Sequence, residues 1–258
     1  DLDNTLYDWV SYFSQSFEVL IVSVNAITKI DLDTLLGEYK SVHQKYHNSE
    51  HPYATLELPS VVKHFGTSDK LQLRSYLQPA FDAFSRKRRE TLRLYPGVLD
   101  SLKLLKEMGV IIVGHTESYD VNSVYRMESL GLKSYFKHLY SLKSLSSSHP
   151  TPGKPITKDL DSEWLISLPR EEKKPNPTLI RDICAREGVE LKDTYYVGDS
   201  IVKDISMANN AGITSIWAEY GRDIKIANWS LLVQITHWTD EDVENEENLK
   251  DAYSSVKP

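Results

Sequence analysis

From Tyr7 to about Arg93, apolar residues recur at i, i+3 and i+4 with few strand-like alternations, a spacing that predicts helices. The clearest segments are residues 17–30, residues 35–46 and a long stretch over 68–89 that ends in Arg86-Lys87-Arg88-Arg89. Asp31 and Asp33 stand between the first two and read as N-caps. His51-Pro52-Tyr53-Ala54 reads as a loop. After the turn signal Tyr95-Pro96-Gly97 the rhythm changes. Residues 98–108, stopped by Gly109, predict a helix feeding a buried strand over 110–113. Residues 121–130 with Gly131 repeat the device, and a strand follows near 138–142. Helices over 177–187 and 205–210, each followed by glycine, lead to strands over 194–197 and 213–217. A further strand is expected over 231–235. Helices alternating with short apolar strands predict an α/β fold with a mostly parallel sheet covered on both faces. The expected boundaries are a core over 1–6 and 94–258, a helical insert over 7–93, and an extended loop or flap over 144–172.

Composition narrows the function classes. A chain of 258 residues has room for one large domain or two unequal ones. A net charge of −7 argues against a broad nucleic-acid-binding face but leaves room for a small cationic pocket. The lone Cys184 excludes an intrachain disulfide framework and fits a reducing compartment. The apolar stretch over 17–27 is broken by Glu18, Ser23 and Asn25, too short and polar to span a bilayer. Asp1 and Asp3 stand where a secretory signal would carry basic residues. The expectation is a soluble, cytoplasmic protein with no membrane or nucleic-acid partner, and an acidic tail over 240–251 that forms a solvated face.

Four segments carry candidate chemistry. In Asp1-Leu2-Asp3-Asn4-Thr5, an extended chain points both carboxylates the same way, so one can attack phosphorus while the other handles the leaving group's proton. Asp-Leu-Asp occurs three times, at 1, 31 and 159, and only the first copy has Thr at the fifth place. Gly114-His115-Thr116-Glu117-Ser118 follows a predicted strand, where a hydroxyl and backbone N–H groups suit a phosphate oxygen, or serve as an ordinary helix cap. Lys173-Lys174-Pro175-Asn176-Pro177 places a Pro-flanked lysine before a helix, either a rigid source of positive charge or a solvated turn. Val197-Gly198-Asp199-Ser200, with Asp204 five residues after Asp199, puts acidic groups at a strand's carboxyl end, a setting that suits Mg²⁺.

Taken in order, these segments resemble the haloacid dehalogenase-like superfamily of hydrolases, mostly Mg²⁺-dependent phosphatases. The resemblance covers Asp1 to Thr5 and residues 95–221, including Ala208-Asn209-Asn210-Ala211-Gly212. It implies a Rossmann-like core with an inserted α-helical cap in the family's first cap position. It implies Asp1 as nucleophile forming an aspartyl-phosphate, and Asp3 as general acid, then base. Leu2, Thr116, Glu117 and Lys174 are implied at the phosphate or substrate, with Thr116 hydrogen-bonding the phosphoryl group and Lys174 neutralising it. Mg²⁺ is implied on Asp1, the Asp3 carbonyl and Asp199, supported by Asp204. Lys154 in Gly153-Lys154-Pro155 is the rival for the lysine role; Lys174 is preferred because it precedes a helix start nearer Asp199.

Three departures from the family stand out. Its nucleophile ends a central apolar strand, so such a strand is expected to precede Asp1 in a longer chain. Glu117 is a carboxylate where the family often has a small or amide residue; it points away or meets a cationic or hydroxylated substrate part. The stretch over 144–172 is longer than usual, and Trp164-Leu165-Ile166 points to some of it packing down. The expected function is hydrolysis of a small phosphorylated metabolite, with the helical insert closing over the site to exclude water. His47, His51, Tyr53 and the cluster over 86–89 are possible cap contacts, or a solvated surface. The alternatives are a dehalogenase or phosphomutase of the same superfamily, or a non-catalytic binding protein on the same fold. A phospho-aspartate receiver is disfavoured, because its Asp would lie well inside a chain of about half this length.

Overall fold

The computed structural model describes residues 1–144, 163–222 and 226–239. The chain divides into two compact units, one over residues 1–9, 92–144 and 163–222, the other over residues 10–91 and 226–239. Lys154 and the acidic stretch over 240–251 lie outside the described residues.

The second unit is helical: α1 (Trp9–Thr28), α2 (Leu32–Tyr46), α3 (Pro59–Phe65), α4 (Lys70–Tyr76), α5 (Gln78–Thr91) and α10 (Ile226–Ile235). Its core gathers on Phe17, whose ring meets Tyr39, His43 and Phe84 edge-on at 6.1, 5.5 and 5.4 Å. By length and composition α1 could cross a membrane, yet half of its apolar window is buried within the protein. Asp31 caps α2 by accepting from Thr34 N at 2.9 Å, while Asp33 lies in the helix's first turn rather than at the cap. The helix expected over 68–89 breaks at Leu77, because Pro79 has no N–H to continue the ladder and restricts the residue before it. Instead of a loop at residues 51–54, a 3₁₀ turn runs over Pro52–Glu57. The expected strand over 231–235 is the end of helix α10, whose Leu232 and Ile235 are buried three residues apart. His43 Nδ1 lies 2.5 Å from the Ile235 carbonyl, tying α2 to α10.

The first unit is α/β. Strands β1 (Val113–Tyr119), β2 (His138–Leu142) and β3 (Leu165–Leu168) form a parallel sheet in that order, and β4 (Tyr195–Gly198) pairs in parallel with β5 (Thr214–Trp217). Helices α6 (Val98–Glu107), α7 (Asp120–Ser129), α8 (Pro177–Glu187) and α9 (Ser206–Ala211) complete it. Tyr140, Leu168, Ile180, Cys184, Tyr196 and Met207 belong to its shared core. Two sequence expectations move. The first strand begins at Val113, where pairing with His138 starts, and the Val110 and Ile111 side chains are half-exposed. Residues 165–168, expected within a loop or flap, are a sheet strand, and Trp164 Nε1 donates to the Phe136 carbonyl at 3.0 Å.

Residues 1–3 lie between the two sheets. The Asp1 nitrogen donates to Val197 O in β4 at 2.9 Å, and Leu2 packs against Gly114 in β1. The chain then turns back at Asn4, which has φ 58°, and Tyr7 bridges to Asp3 and Leu94. Asp1, the end of β1 and the end of β4 are thereby brought to the carboxyl edges of parallel strands, where open α/β sheets place their ligands.

Candidate active site

Asp1 is held from two directions. Thr5 Oγ1 donates to Asp1 Oδ2 at 2.6 Å, and Lys174 Nζ donates to Asp1 Oδ1 at 2.6 Å. The same ammonium donates to Asp204 Oδ1 at 2.8 Å, so one buried lysine bridges two carboxylates. Lys174 reaches this position because Asn176 caps α8 through Leu179 N and Pro177 opens the helix. Glu117 Oε1 accepts from Lys174 N at 3.0 Å, and its Oε2 accepts from Lys203 Nζ at 3.0 Å. Both carboxylate oxygens of Glu117 are thus engaged by the protein's own cations and backbone.

Asp199 leaves β4 beyond Gly198, and Asp204 sits on a π-helical turn over Ile201–Ile205, where its Oδ2 accepts from Ser200 N at 3.1 Å. Ligand atoms of Asp1, Asp199 and Asp204 lie within 4.8 Å of one another, a group that can hold a cation. Two glycines make this approach possible. A Cβ on Gly198 would stand 2.4 Å from the Asp204 side chain, and one on Gly221 would stand 2.0 Å from Asn4 O and 2.8 Å from Asp199 Cβ.

Asp3 belongs to a different set of contacts. Its carboxylate receives Tyr7 Oη at 2.6 Å and Ser118 Oγ at 2.8 Å, with Arg126 Nη2 3.3 Å from each oxygen. Thr116 is buried in β1, and its hydroxyl accepts from Ser118 N at 3.0 Å. The Leu2 side chain is fully buried and its carbonyl accepts from Thr5 N and Leu6 N, so neither group is offered to a ligand. Asp1, Lys174, Asp199 and Asp204 are therefore brought together, with Asp3 and Thr116 engaged by other partners beside them.

A haloacid dehalogenase-like hydrolase family model matches residues 1–212. The chain belongs to that family. This haloacid dehalogenase-like hydrolase is 24% identical over 227 residues to the glyceraldehyde 3-phosphate phosphatase of Methanopyrus kandleri, covering 86% of this chain and 83% of that one. It is 23% identical over 224 residues to a phosphoglycolate phosphatase of Pseudomonas savastanoi pv. phaseolicola, covering 86% of this chain and 68% of the relative. Among solved structures it is similar to the 2-haloacid dehalogenase of Pseudomonas syringae pv. Tomato, at a TM-score of 0.43 and 17% identity, covering 84% and 83% of the two chains.

Electrostatics in the hydrolase follow from burial and crowding. Burial pushes the Asp199 carboxyl up, the neighbouring Asp204 charge adds to it, and the result is about 7 despite Lys174. Burial also opposes ionisation of Asp204, but the Lys174 ammonium outweighs it and holds that carboxyl below its usual range. For Lys174, burial works against the charge, and Tyr196 with Asp204 outweighs it, so the ammonium is held above the ordinary lysine range. His115 is buried beside Tyr196, and burial with the Lys174 charge drives it well below the usual histidine value. The site thus combines a permanent cation with crowded carboxylates, a set suited to positioning an anion beside a divalent metal.

Sequence reasoning left several contributors without a role. Thr5 marked the first motif and Ser118 lies inside the second, while Tyr196 and Lys203 stand beside the residues of the fourth; their partners emerge only from the fold. Tyr7 and Arg126 had no sequence signal of their own.

Proposed function

We propose that this hydrolase is a phosphomonoester hydrolase acting on a small phosphorylated metabolite through an aspartyl-phosphate on Asp1. The observation that carries this reading is the single Lys174 ammonium bridging Asp1 and Asp204, with Asp199 in the same cluster. A phosphate dianion approaches a carboxylate only where positive charge offsets the repulsion, and Lys174 supplies part of it at 2.6 Å from the attacking group. Thr5 fixes the second Asp1 oxygen, leaving the carboxylate oriented for in-line attack. Asp3 then gives its proton to the departing alcohol and later takes one from water as the acyl phosphate is hydrolysed. The Thr116 hydroxyl and the Leu2 N–H are assigned to the phosphoryl oxygens, and Glu117 to holding Lys174 in place. The two phosphatase relatives, named for small three- and two-carbon phosphate esters, support a small substrate.

The donor set also fits Mg²⁺. All its groups are oxygens, and Asp199 is a half-buried carboxyl that its surroundings raise to about 7 despite Lys174. Asp1, Asp199, Asp204 and the Asp3 carbonyl are the residues assigned to hold it; when bound, the ion neutralises charge on the transferring group. A dehalogenase reading is disfavoured by the hydroxyls and guanidinium gathered on Asp3, because a halide leaves without a proton.

The test is a screen of small phosphate esters in Mg²⁺, run beside Asp1→Asn and EDTA. Phosphate release that falls about a thousandfold or more in Asp1→Asn is expected, together with loss in EDTA and recovery on adding Mg²⁺. A wild-type protein that releases phosphate from none of the esters overturns the reading.

A further inference from the structure

Among the described residues Arg126 is the bulkiest fully buried side chain, on a helix whose other buried residues are Asp120, Ser123, Val124 and Met127. A guanidinium is almost never buried unless it is paired, and an apolar residue of similar volume commonly serves stability as well or better. Its contacts show what it does. The Arg126 Nε–H donates to Tyr7 Oη at 2.9 Å, and Nη2 donates to Ser118 Oγ. Guanidinium hydrogens are donors only, and each hydroxyl has one hydrogen. Both hydroxyls accept from Arg126, so each turns its own hydrogen onto Asp3: Tyr7 onto Oδ1 at 2.6 Å, Ser118 onto Oδ2 at 2.8 Å. Arg126 also lies 3.3 Å from both Asp3 oxygens, and the Asp3 side chain is 22% exposed where that of Arg126 is fully enclosed.

We propose that Arg126, Tyr7 and Ser118 are positioning residues that fix the plane of the Asp3 carboxyl for proton delivery to the leaving oxygen. This inference rests on the phosphatase reading above. In the step concerned, a bond forms from Asp1 to phosphorus as the bond from phosphorus to the ester oxygen breaks. The departing oxygen takes the hydrogen of the Asp3 carboxyl, which is left as a carboxylate facing the hydroxyls and guanidinium around it. All of these residues belong to the α/β unit. Ser118 stands in β1 and Arg126 two helical turns into α7, so the end of one strand and the helix that follows set the geometry of a residue 123 positions earlier.

The discriminating readout is leaving-group dependence. An alkyl phosphate needs a proton on its leaving oxygen, whereas 4-nitrophenolate departs without one. Because kcat/KM covers only the steps through loss of the first product, it isolates this event from hydrolysis of the phospho-enzyme. In Tyr7→Phe, which keeps the ring, the ratio of kcat/KM for 4-nitrophenyl phosphate to that for the best alkyl phosphate should rise about tenfold or more, a share of the full effect of general acid catalysis. Ser118→Ala should raise it in the same direction, and Arg126→Lys should raise it less than Arg126→Met. A ratio that stays within about twofold of wild type in folded Tyr7→Phe and Ser118→Ala, with any loss shared by both esters, overturns the proposal while the phosphatase reading stands. A wild-type protein inactive on every ester sinks both.

Discussion

Gly198 has no room for a methyl group. Its place beside the Asp204 side chain means that Gly198→Ala must push Asp204 away from Lys174 or distort the end of β4. The expected cost is about 1–3 kcal/mol of stability, typical of overpacking, read as a lower urea midpoint, and, on the phosphatase reading proposed above, a higher Mg²⁺ concentration for half-maximal activity. An unchanged midpoint with full activity would show that the turn over Ile201–Ile205 yields easily. Glu117 makes the complementary point. The sequence leaves Glu117 to point away or to meet a cationic or hydroxylated substrate part; in the fold it accepts from Lys174 N and Lys203 Nζ. Glu117→Gln keeps its shape but drops the ion pair with partly exposed Lys203. It is expected to alter stability by about 1 kcal/mol or less, as exposed pairs do. A thermal shift beyond that would assign Glu117 a larger share in holding the Lys174 loop.

At the scale of elements, the most legible parts were those that carry their own punctuation. Helix α8 runs over Pro177–Glu187 as expected because Asn176 and Pro177 open it and Gly188, at φ 72°, closes it. Strand β2 coincides with its expected span, whereas β1 starts three residues late because pairing with β2, rather than hydrophobicity, decides where a strand begins. Residues 231–235 show the limit of short apolar runs, which fit a buried helix as well as a strand. The acidic and basic residues of the candidate site were legible through order and spacing, since each stands at or near a strand or helix end. Arg126 was not, because a buried charge has no periodic signature and its partners come from 8 to 123 residues away. Capping offers a direct check at this scale. Asp31→Ala removes the acceptor for Thr34 N and should lower the urea midpoint; an unchanged midpoint would mean that α2 is held by its packing rather than by its cap.

For the whole molecule, pH acts through a histidine buried as a neutral species and a carboxylate held in ion pairs. Burial lowers His43 to about 4, against weaker support for its charge from the Ile235 and His51 carbonyls. The unfolded chain binds the proton near 6.5, so the stabilising contribution is complete above that value and is lost as pH falls from about 6.5 to about 4, in all about 3 kcal/mol. Glu57 acts lower. Burial pushes it up, but Lys70, Tyr46 and Lys45 outweigh that and bring it to about 2, so its contribution is present above about 4.5 and fades as pH falls towards 2. Urea titrations at pH 7 and 4.5 should therefore show a loss in the wild-type protein that shrinks in His43→Gln; equal losses in both would remove His43 as the cause. Cys184 supplies an independent gauge. It is the chain's one thiol, it lies in the α/β core among Ile180, Ile183 and Met207, and burial pushes its thiol up. A thiol reagent can reach it only when α8 lifts from that core, so the rate of labelling becomes a clock for opening events. Slow, denaturant-accelerated modification that follows the global transition would mark α8 as part of the last structure to come apart.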